Sequence, residues 1–280
     1  MSTPHVLPRP FRKKGAPSVR TPQRLIAASV RKRPPRKAAA TKPRSASQRT
    51  GQKALPVLHE YFDVLHRAYG GQNWWPARTR FEVIVGAILT QNTSWTNVER
   101  AIVALRREKL LSVSAIEGIP ETILAELIRS SGYYRQKARK LKAFVAFVRT
   151  NYQGSLDRMF RVPTKVLREQ LLSVHGIGPE TADSILLYAG THPVFVVDAY
   201  TRRILQRHGL AEERSTYEEL RGLFERSLPT DPQVFNEYHA LIVHTGKHFC
   251  RTKDPRCCEC PLQQFLPVTI RSAPATEEQR

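Results

Sequence analysis

Hydrophobic positions recur with helical spacing along almost the whole chain after Pro56. The first apolar stripe repeats every three to four residues and comprises Leu58, Tyr61, Phe62, Leu65 and His66. Residues 81–91 are apolar enough for a buried helix, whereas residues 97–108 carry one apolar and one charged face. No stretch alternates long enough to form a sheet, so the chain is predicted to be all-α.

The same periodicity, together with signals for helix ends, predicts further helices. One begins at Pro120 and stops before Gly132, because proline suits a first helical position and glycine a helix end. The predicted helices cover residues 120–131, 136–152, 163–174, 216–228 and 232–250. Short turns with glycine or proline join them, which is typical of small helical domains.

The first 53 residues break this pattern. They contain fifteen Lys or Arg residues and no Asp or Glu, and they are rich in Pro, Ser, Thr and Ala. Such a segment buries too little apolar surface to offset the entropy of ordering, so residues 1–53 are predicted to be a disordered basic tail. A solubility tail, an over-extended start site and an organelle leader are alternatives. The helical domain is predicted to cover 54–270, and 271–280 to be disordered.

The charge balance suggests a polyanionic partner. The chain has 45 Lys and Arg against 24 Asp and Glu, a formal net charge of +21. Most of the excess lies in the tail, since the remaining residues carry 30 basic and 24 acidic side chains. Nucleic acid is therefore the first candidate partner. No run of roughly 18 apolar residues predicts a membrane span, and we expect an intracellular location, in the cytoplasm or nucleoid.

A "HGIGPE" turn interrupts the helical pattern near the middle of the chain. Gly176, Ile177 and Gly178 form a tight hairpin, and Pro179 then opens a helix that stops at Gly190. Backbone N–H groups at such a turn can bind a phosphate. The alternative is an ordinary corner between two helices.

An extended apolar run follows and ends in Asp198. The next helix carries Arg202 and Arg203 in its first turn. Because a carboxylate beside a bound phosphate backbone weakens binding, its presence there suggests a role in chemistry. Aspartate is also a favoured helix N-cap, and one residue can serve both purposes.

The order of hairpin, Gly/Pro-rich loop and aspartate resembles the endonuclease III, or HhH-GPD, superfamily of DNA glycosylases over roughly residues 55–265. The resemblance implies a two-lobed helical fold and double-stranded DNA with a damaged base as partner, bound by a monomer. It also implies that Gly176, Ile177 and Gly178 bind DNA phosphates. Asp198 would be the catalytic residue that is needed to break the bond between base and sugar.

One position just after the hairpin carries a different residue from that found in part of the superfamily. Members that also cut the DNA strand carry a lysine two residues after the second hairpin glycine, and its amine forms an imine with the sugar. Glu180 stands there in this chain. Since a carboxylate cannot form an imine, base removal by water without efficient lyase action is predicted. A bifunctional glycosylase and lyase acting on oxidised pyrimidines, and a non-catalytic DNA-binding protein, are the alternatives.

The N-terminal half resembles the 3-methyladenine DNA glycosylase III branch through "NWWPARTRFEVIVGAILTQNTSW" and "SGYYRQKARKLKAF". The resemblance implies a base pocket formed by Trp74, Trp75, Pro76 and Trp95. Aromatic rings can stack on an extruded base and favour a cationic alkylated purine. The alternative is that these tryptophans belong to the core.

Two polar or basic segments are further candidates for DNA contact. Gln91 or Asn92 is predicted to fill the gap that an extruded base leaves in the duplex. The basic and aromatic loop formed by Tyr133, Tyr134, Arg135 and Lys137 is predicted to contact the DNA backbone. The alternative is a solvated turn with one tyrosine in the core.

All four cysteines lie within eleven residues, which favours a metal or cluster site over a disulfide framework. The spacing of Cys250, Cys257 and Cys260 resembles the first three ligands of the iron–sulfur loop in endonuclease III relatives. The fourth cysteine is expected at position 266, where this chain has Leu266, and Cys258 is the alternative fourth ligand. A [4Fe–4S] cluster, a zinc ion and no metal all remain open, and the loop spanning 250–266 is expected to have a structural role.

Overall fold

The computed structural model describes the backbone of residues 46–72 and 77–267, and side chains from residue 57 onward within these ranges. Every regular element in the described ranges is helical, so the all-α prediction is confirmed. The α-helices are α1 (Ala46–Tyr69), α2 (Arg80–Leu89), α3 (Trp95–Arg107), α4 (Val113–Gly118), α5 (Glu121–Leu127), α6 (Tyr134–Tyr152), α7 (Leu156–Phe160), α8 (Thr164–Leu172), α9 (Pro179–Ser184), α10 (Ala199–Arg207), α11 (Tyr217–Ser227) and α12 (Pro232–His248).

Tighter and wider helical turns complete the secondary structure. Helix α9 continues as a π-helical turn over Ile185–Ala189. Short 3-10 turns occupy Arg129–Ser131, Cys257–Glu259 and Gln263–Phe265. The last two lie in the cysteine loop, which therefore has a defined local conformation after α12.

The helices predicted from periodicity are present, with ends that shift by a few residues. The short helices α4 and α7 were not predicted, because five or six residues are too few to display a 3.6-residue period. Helix α1 begins at Ala46, within the last residues of the predicted basic tail, and the domain bounds stay a prediction. Residues 1–45 and 268–280 lie outside the described residues, so the predicted disorder there stays a prediction.

Two groups of helices make up the lobes. Helices α3 to α7 pack mainly around α2 and α6, and α8 packs against α9, whereas α1, α10, α11 and α12 pack against one another. The π-helical turn after α9 contacts both α2 and α12, so it lies where the two groups meet. This arrangement brings the start of the helical domain and its end into the same lobe. Within the described ranges, no helix is both long and apolar enough to cross a membrane.

Candidate active site

Asp198 lies at the junction between a buried loop and α10. Val194 to Val197 are buried, and the Val197 N–H donates to the Tyr217 hydroxyl at 3.4 Å. Asp198 is the N-cap of α10, because its Oδ1 accepts hydrogen bonds from the Thr201 N–H (2.8 Å) and the Thr201 hydroxyl (2.9 Å). One carboxylate oxygen is therefore fixed by the helix start, as expected for a capping aspartate.

The other carboxylate oxygen of Asp198 faces a histidine. His239 Nε2, on α12, lies 3.7 Å from Asp198 Oδ2, and both side chains are largely buried. The opposite ring nitrogen, His239 Nδ1, lies 2.6 Å from the Tyr188 hydroxyl. Burial lowers the pKa of His239, while the Asp198 charge acts in the opposite direction. The imidazole is therefore neutral at pH 7.

Glu180 adds a second carboxylate near Asp198. It lies in the first turn of α9, next to the hairpin. Its side chain is accessible to solvent, yet protein surrounds it closely enough that desolvation, followed by the charge of Asp198, raises the pKa of its carboxyl to about 7. Glu180 is therefore partly protonated near neutral pH.

The hairpin between α8 and α9 requires glycine at its first position. Gly176 has φ +81°, and a Cβ there would lie 2.4 Å from Cγ of Lys140. Ile177 has a buried side chain, and its N–H donates to the Val174 carbonyl at 3.1 Å, so this residue anchors the turn. Gly178 caps α9 without a side chain and is exposed, with no heavy atom within 4 Å of a hypothetical Cβ. The outer face of the hairpin can therefore be approached closely.

The two polar candidates at the end of α2 occupy different environments. Gln91 donates from Nε2 to the Gly176 carbonyl (3.0 Å) and the Thr181 hydroxyl (2.8 Å), and its Oε1 accepts from Lys140 Nζ. Asn92 is exposed and has φ +54° at the tip of the turn. Gln91 therefore ties this turn to the hairpin, and Asn92 is the more accessible of the two.

The start of α6 has a basic and aromatic surface. Tyr133 is 67% exposed. Two guanidinium groups lie over the ring of the half-buried Tyr134, with Arg129 Cζ at 5.8 Å and Arg135 Cζ at 5.7 Å from its centroid. Arg135 is exposed, so this surface keeps positive charge available to a polyanion.

Lys137 is buried, whereas the sequence predicted that it contacts DNA. Only 2% of it is exposed, and its Nζ donates to the carbonyls of Leu89 (2.8 Å) and Ser131 (2.6 Å). Burial, followed by the charge of Lys140, lowers the pKa of Lys137 to about 8. The ammonium group thus satisfies carbonyls at two helix ends in the interior.

Most of the predicted base pocket, namely Trp74, Trp75 and Pro76, lies outside the described residues. The segment leading to it is fixed by the Gln72 N–H, which donates to Glu237 Oε1 at 2.8 Å on α12, the helix that carries His239. Trp95 is the first residue of α3 and is half-buried against the core.

Three of the four cysteines line one cavity. Cys250 follows α12 and is buried, and Cys257 and Cys260 reach the same cavity from the loop. Cys258 is exposed and is not among the described residues that line it. Leu266 also lines the cavity and is 3% exposed, so an apolar side chain occupies the position expected for the fourth cysteine.

Helix α10 holds this loop through its arginines. Arg203 Nε donates to the Cys250 carbonyl at 2.6 Å, and Arg207 Nη1 donates to Cys250 Sγ at 3.2 Å. Burial raises the pKa of the Cys260 thiol to about 11, and the nearby Cys250 and Cys257 act in the same direction. The three thiols are therefore close neighbours, and the same helix carries Asp198 at its start.

The donors are not arranged for a single metal ion. In the part of the chain that the structure describes, no three His, Cys, Asp or Glu side chains are placed to hold one ion. A mononuclear zinc site needs its thiolates at about 2.3 Å from a common point. An iron–sulfur cluster instead binds each thiolate through a different iron, so three separated cysteines around one cavity fit three of the four cluster ligands.

Sequence reasoning missed Tyr188 and His239, which lie 51 residues apart. No local motif connects them. The only signal was a histidine within the apolar run "YHALIV", where a buried polar side chain needs a partner.

Residues 85–230 match the profile described as the HhH-GPD superfamily base excision DNA repair protein. A protein of Methanocaldococcus jannaschii named "Putative DNA repair glycosylase MJ1434" is 49% identical over 216 residues, which covers 76% of this chain and 97% of the relative. Endonuclease III of Thermotoga maritima is 31% identical over 183 residues, which covers 65% of this chain and 80% of the relative.

Solved structures show the same fold. A non-covalent endonuclease III–DNA complex has a TM-score of 0.65 at 22% identity and covers 77% of this chain and 94% of that one. The H. pylori 3-methyladenine DNA glycosylase bound to 1,N6-ethenoadenine has a TM-score of 0.59 at 30% identity and covers 70% of this chain and 97% of that one.

Proposed function

The chain belongs to the HhH-GPD superfamily of base excision DNA repair glycosylases, and we propose that it removes a damaged base by hydrolysis without cutting the strand. The observation that carries this proposal is the pair of carboxylates near the hairpin. Asp198 lies at the start of α10, and Glu180 lies at the position where lyase members have lysine. The site therefore offers acidic groups and no amine at that position.

Asp198 supplies the catalytic charge in this proposal. As the base leaves, positive charge develops on the deoxyribose, and a fixed carboxylate stabilises that charge. Thr201 holds Oδ1, which leaves Oδ2 to interact with the sugar or to orient the attacking water. The products are the released base and an abasic site.

Double-stranded DNA is the partner that these surfaces suit. The solved relatives include DNA complexes. The hairpin at Gly176 and Gly178 would bind phosphates through its backbone, and Arg135 would contact a neighbouring phosphate. The accessibility of Asn92 favours this residue over Gln91 for entering the gap in the duplex. A monomer and an intracellular location remain predictions.

We propose an alkylated purine as substrate class. A cationic base is already a good leaving group, so it needs little help beyond Asp198. The relative bound to 1,N6-ethenoadenine is named a 3-methyladenine glycosylase and shares 30% identity with this chain. The three tryptophans within 22 residues support an aromatic pocket.

A panel of duplexes tests the proposal, each carrying one alkylated purine, oxidised pyrimidine or deaminated base. Release of an alkylated purine, with strand cleavage only after alkali, is the expected result. Strand cleavage before alkali would support the bifunctional alternative. Binding without release from any duplex would support the non-catalytic one.

Borohydride trapping separates the first two alternatives directly, because only an imine is trapped. We expect no covalent complex with the wild-type protein. Lys140 lies beside the hairpin, in contact with Gln91. The amount of trapped complex should therefore be compared between the wild type and Lys140→Ala. A strong trapped complex in the wild type that is lost in Lys140→Ala would contradict the monofunctional assignment.

We propose that the cysteine loop holds a [4Fe–4S] cluster through Cys250, Cys257 and Cys260. The shared cavity and the donor chemistry support this proposal. Bound there, the cluster would supply structural cross-links between the chain end and α10. We expect the purified protein to be brown and to absorb at about 400 nm.

A further inference from the structure

The cavity beside the cysteine loop contains an imidazole in addition to three thiols. His208, the C-cap of α10, lines it together with Cys250, Cys257 and Cys260. Leu266 cannot bind iron. We propose that His208 is the fourth ligand of the iron–sulfur cluster, through Nε2.

The orientation of the His208 ring supports this assignment. Its Nδ1 lies 2.6 Å from the Tyr61 hydroxyl, which leaves Nε2 as the ring nitrogen that can bind a metal. The Tyr61 ring packs edge-on against His208 at 5.3 Å and against Phe265 at 4.7 Å, so the pair is held against the loop. Histidines that bind metals regularly have their second nitrogen fixed by a hydrogen bond of this kind.

The neighbouring residue already connects the same helix end to the cluster loop. Arg207 donates to Cys250 Sγ at 3.2 Å and to the Thr252 carbonyl at 3.3 Å. A cysteine that binds iron therefore lies next to the last turn of α10, within the cavity that His208 also lines. Cys258, the alternative from the sequence, is exposed instead.

Imidazole is a chemically suitable substitute for the missing thiolate. Histidine replaces cysteine on one iron of Rieske clusters and raises their reduction potential, because a neutral ligand replaces a negative one. Three thiolates and one histidine would make this cluster one charge less negative than a cluster with four cysteines. The inference rests on the proposed cluster and not on the glycosylase activity.

The test uses the full chain, purified without oxygen and reconstituted with iron and sulfide. Iron and sulfide content are measured for the wild type, His208→Ala, Cys258→Ser, Leu266→Cys and the double variant His208→Ala/Leu266→Cys. Pulsed electron paramagnetic resonance of the reduced cluster detects hyperfine coupling to a ligating nitrogen. His59→Ala, a half-exposed histidine on α1, is the matched control.

The wild type and His59→Ala should both show a four-iron cluster with nitrogen coupling. His208→Ala should lose that coupling and hold fewer than four irons per chain, because one iron then lacks its protein ligand. The double variant should regain four irons without nitrogen coupling, because a thiolate then stands at position 266, and this recovery would also show that the variant folds.

Three results would overturn the assignment. One is a wild-type cluster without nitrogen coupling, and another is an unchanged cluster in His208→Ala. A third is loss of the cluster in Cys258→Ser while His208→Ala keeps it. Failure of the wild type to bind iron would contradict the proposal that the loop holds a cluster. The glycosylase proposal would be unaffected, because base release alone tests it.

Discussion

His239 Nε2 lies 3.7 Å from Oδ2 of Asp198, and the Tyr188 hydroxyl contacts the opposite ring nitrogen at 2.6 Å. A neutral imidazole has one N–H. If the Tyr188 hydroxyl donates to Nδ1, that N–H is on Nε2 and points its positive end toward the carboxylate. In that tautomer the imidazole N–H faces the carboxylate of Asp198 and helps to orient it.

Loss of this histidine should slow the reaction more than it weakens binding. His239→Leu removes the imidazole whose Nε2 lies 3.7 Å from Asp198 Oδ2, beyond direct hydrogen-bond reach, so the single-turnover rate should fall by roughly two- to tenfold. DNA affinity should change little. His239→Gln keeps an N–H donor and should recover part of the rate, a recovery that a purely structural role would not produce. Equal rates for the wild type and His239→Leu would contradict this role.

Asp198→Asn should separate catalysis from folding. Asparagine caps a helix about as well as aspartate, so the free energy of unfolding should change by only a few tenths of a kcal/mol. The single-turnover rate should fall by about 10²- to 10⁴-fold, since the charge is lost. Affinity for an intact duplex should stay equal or rise. Asp198→Ala is the comparison, because it should lose about 1 kcal/mol of stability as well.

Glu180 should make stability and DNA binding depend on pH. Its pKa in the folded protein is raised to about 7, above its ordinary value. Between these two pH values the folded state binds more protons than the unfolded state, so the contribution of Glu180 to stability falls as pH rises. The charge that appears above pH 7 also repels phosphates, so DNA affinity should fall between pH 6 and pH 8.

Glu180→Gln is the matched test, because it keeps the shape and removes the charge. The variant should show a smaller fall in melting temperature between pH 5 and pH 8 and a flatter pH dependence of DNA affinity. Identical pH profiles for both proteins would rule out Glu180 as the titrating group.

Lys137 and Arg135 should respond in opposite ways to substitution. Lys137→Met removes the donor to two interior carbonyls and should cost roughly 2–5 kcal/mol in the free energy of unfolding. Arg135→Ala should leave stability within about 0.5 kcal/mol and reduce the slope of log affinity against log salt by about 1. Chemical denaturation and salt-dependent DNA binding measure the two effects. A stable Lys137→Met variant with a reduced salt slope would restore the original DNA-contact prediction.

Alanine substitutions at the two hairpin glycines should have different effects on stability. Gly176→Ala places a side chain at φ +81° and against Lys140, so it should destabilise the protein by about 1–2 kcal/mol or more. Gly178→Ala has an ordinary φ and open space, so it should fold normally. Its methyl group would still hinder a phosphate, so we expect weaker DNA binding at unchanged stability. Unchanged binding in Gly178→Ala would argue against a phosphate at this turn.

Local sequence patterns were sufficient to predict most of the helices and the superfamily. Apolar periodicity predicted the long helices, and the order of Gly176, Gly178 and Asp198 identified the superfamily. Both signals come from residues close in sequence, where helix geometry and turn chemistry act directly on the chain. The absence of the usual lysine at Glu180 was also evident without any structure.

Packing between distant segments decided the rest. Lys137 lies in a basic segment but is buried, because α2 and the turn at residues 129–131 supply carbonyls that need a donor. His239 comes near Asp198, and His208 reaches the cysteine cavity, only because α1, α10 and α12 pack in one lobe. Contacts between residues so far apart in sequence depend on how whole helices are placed, and no local pattern encodes that placement.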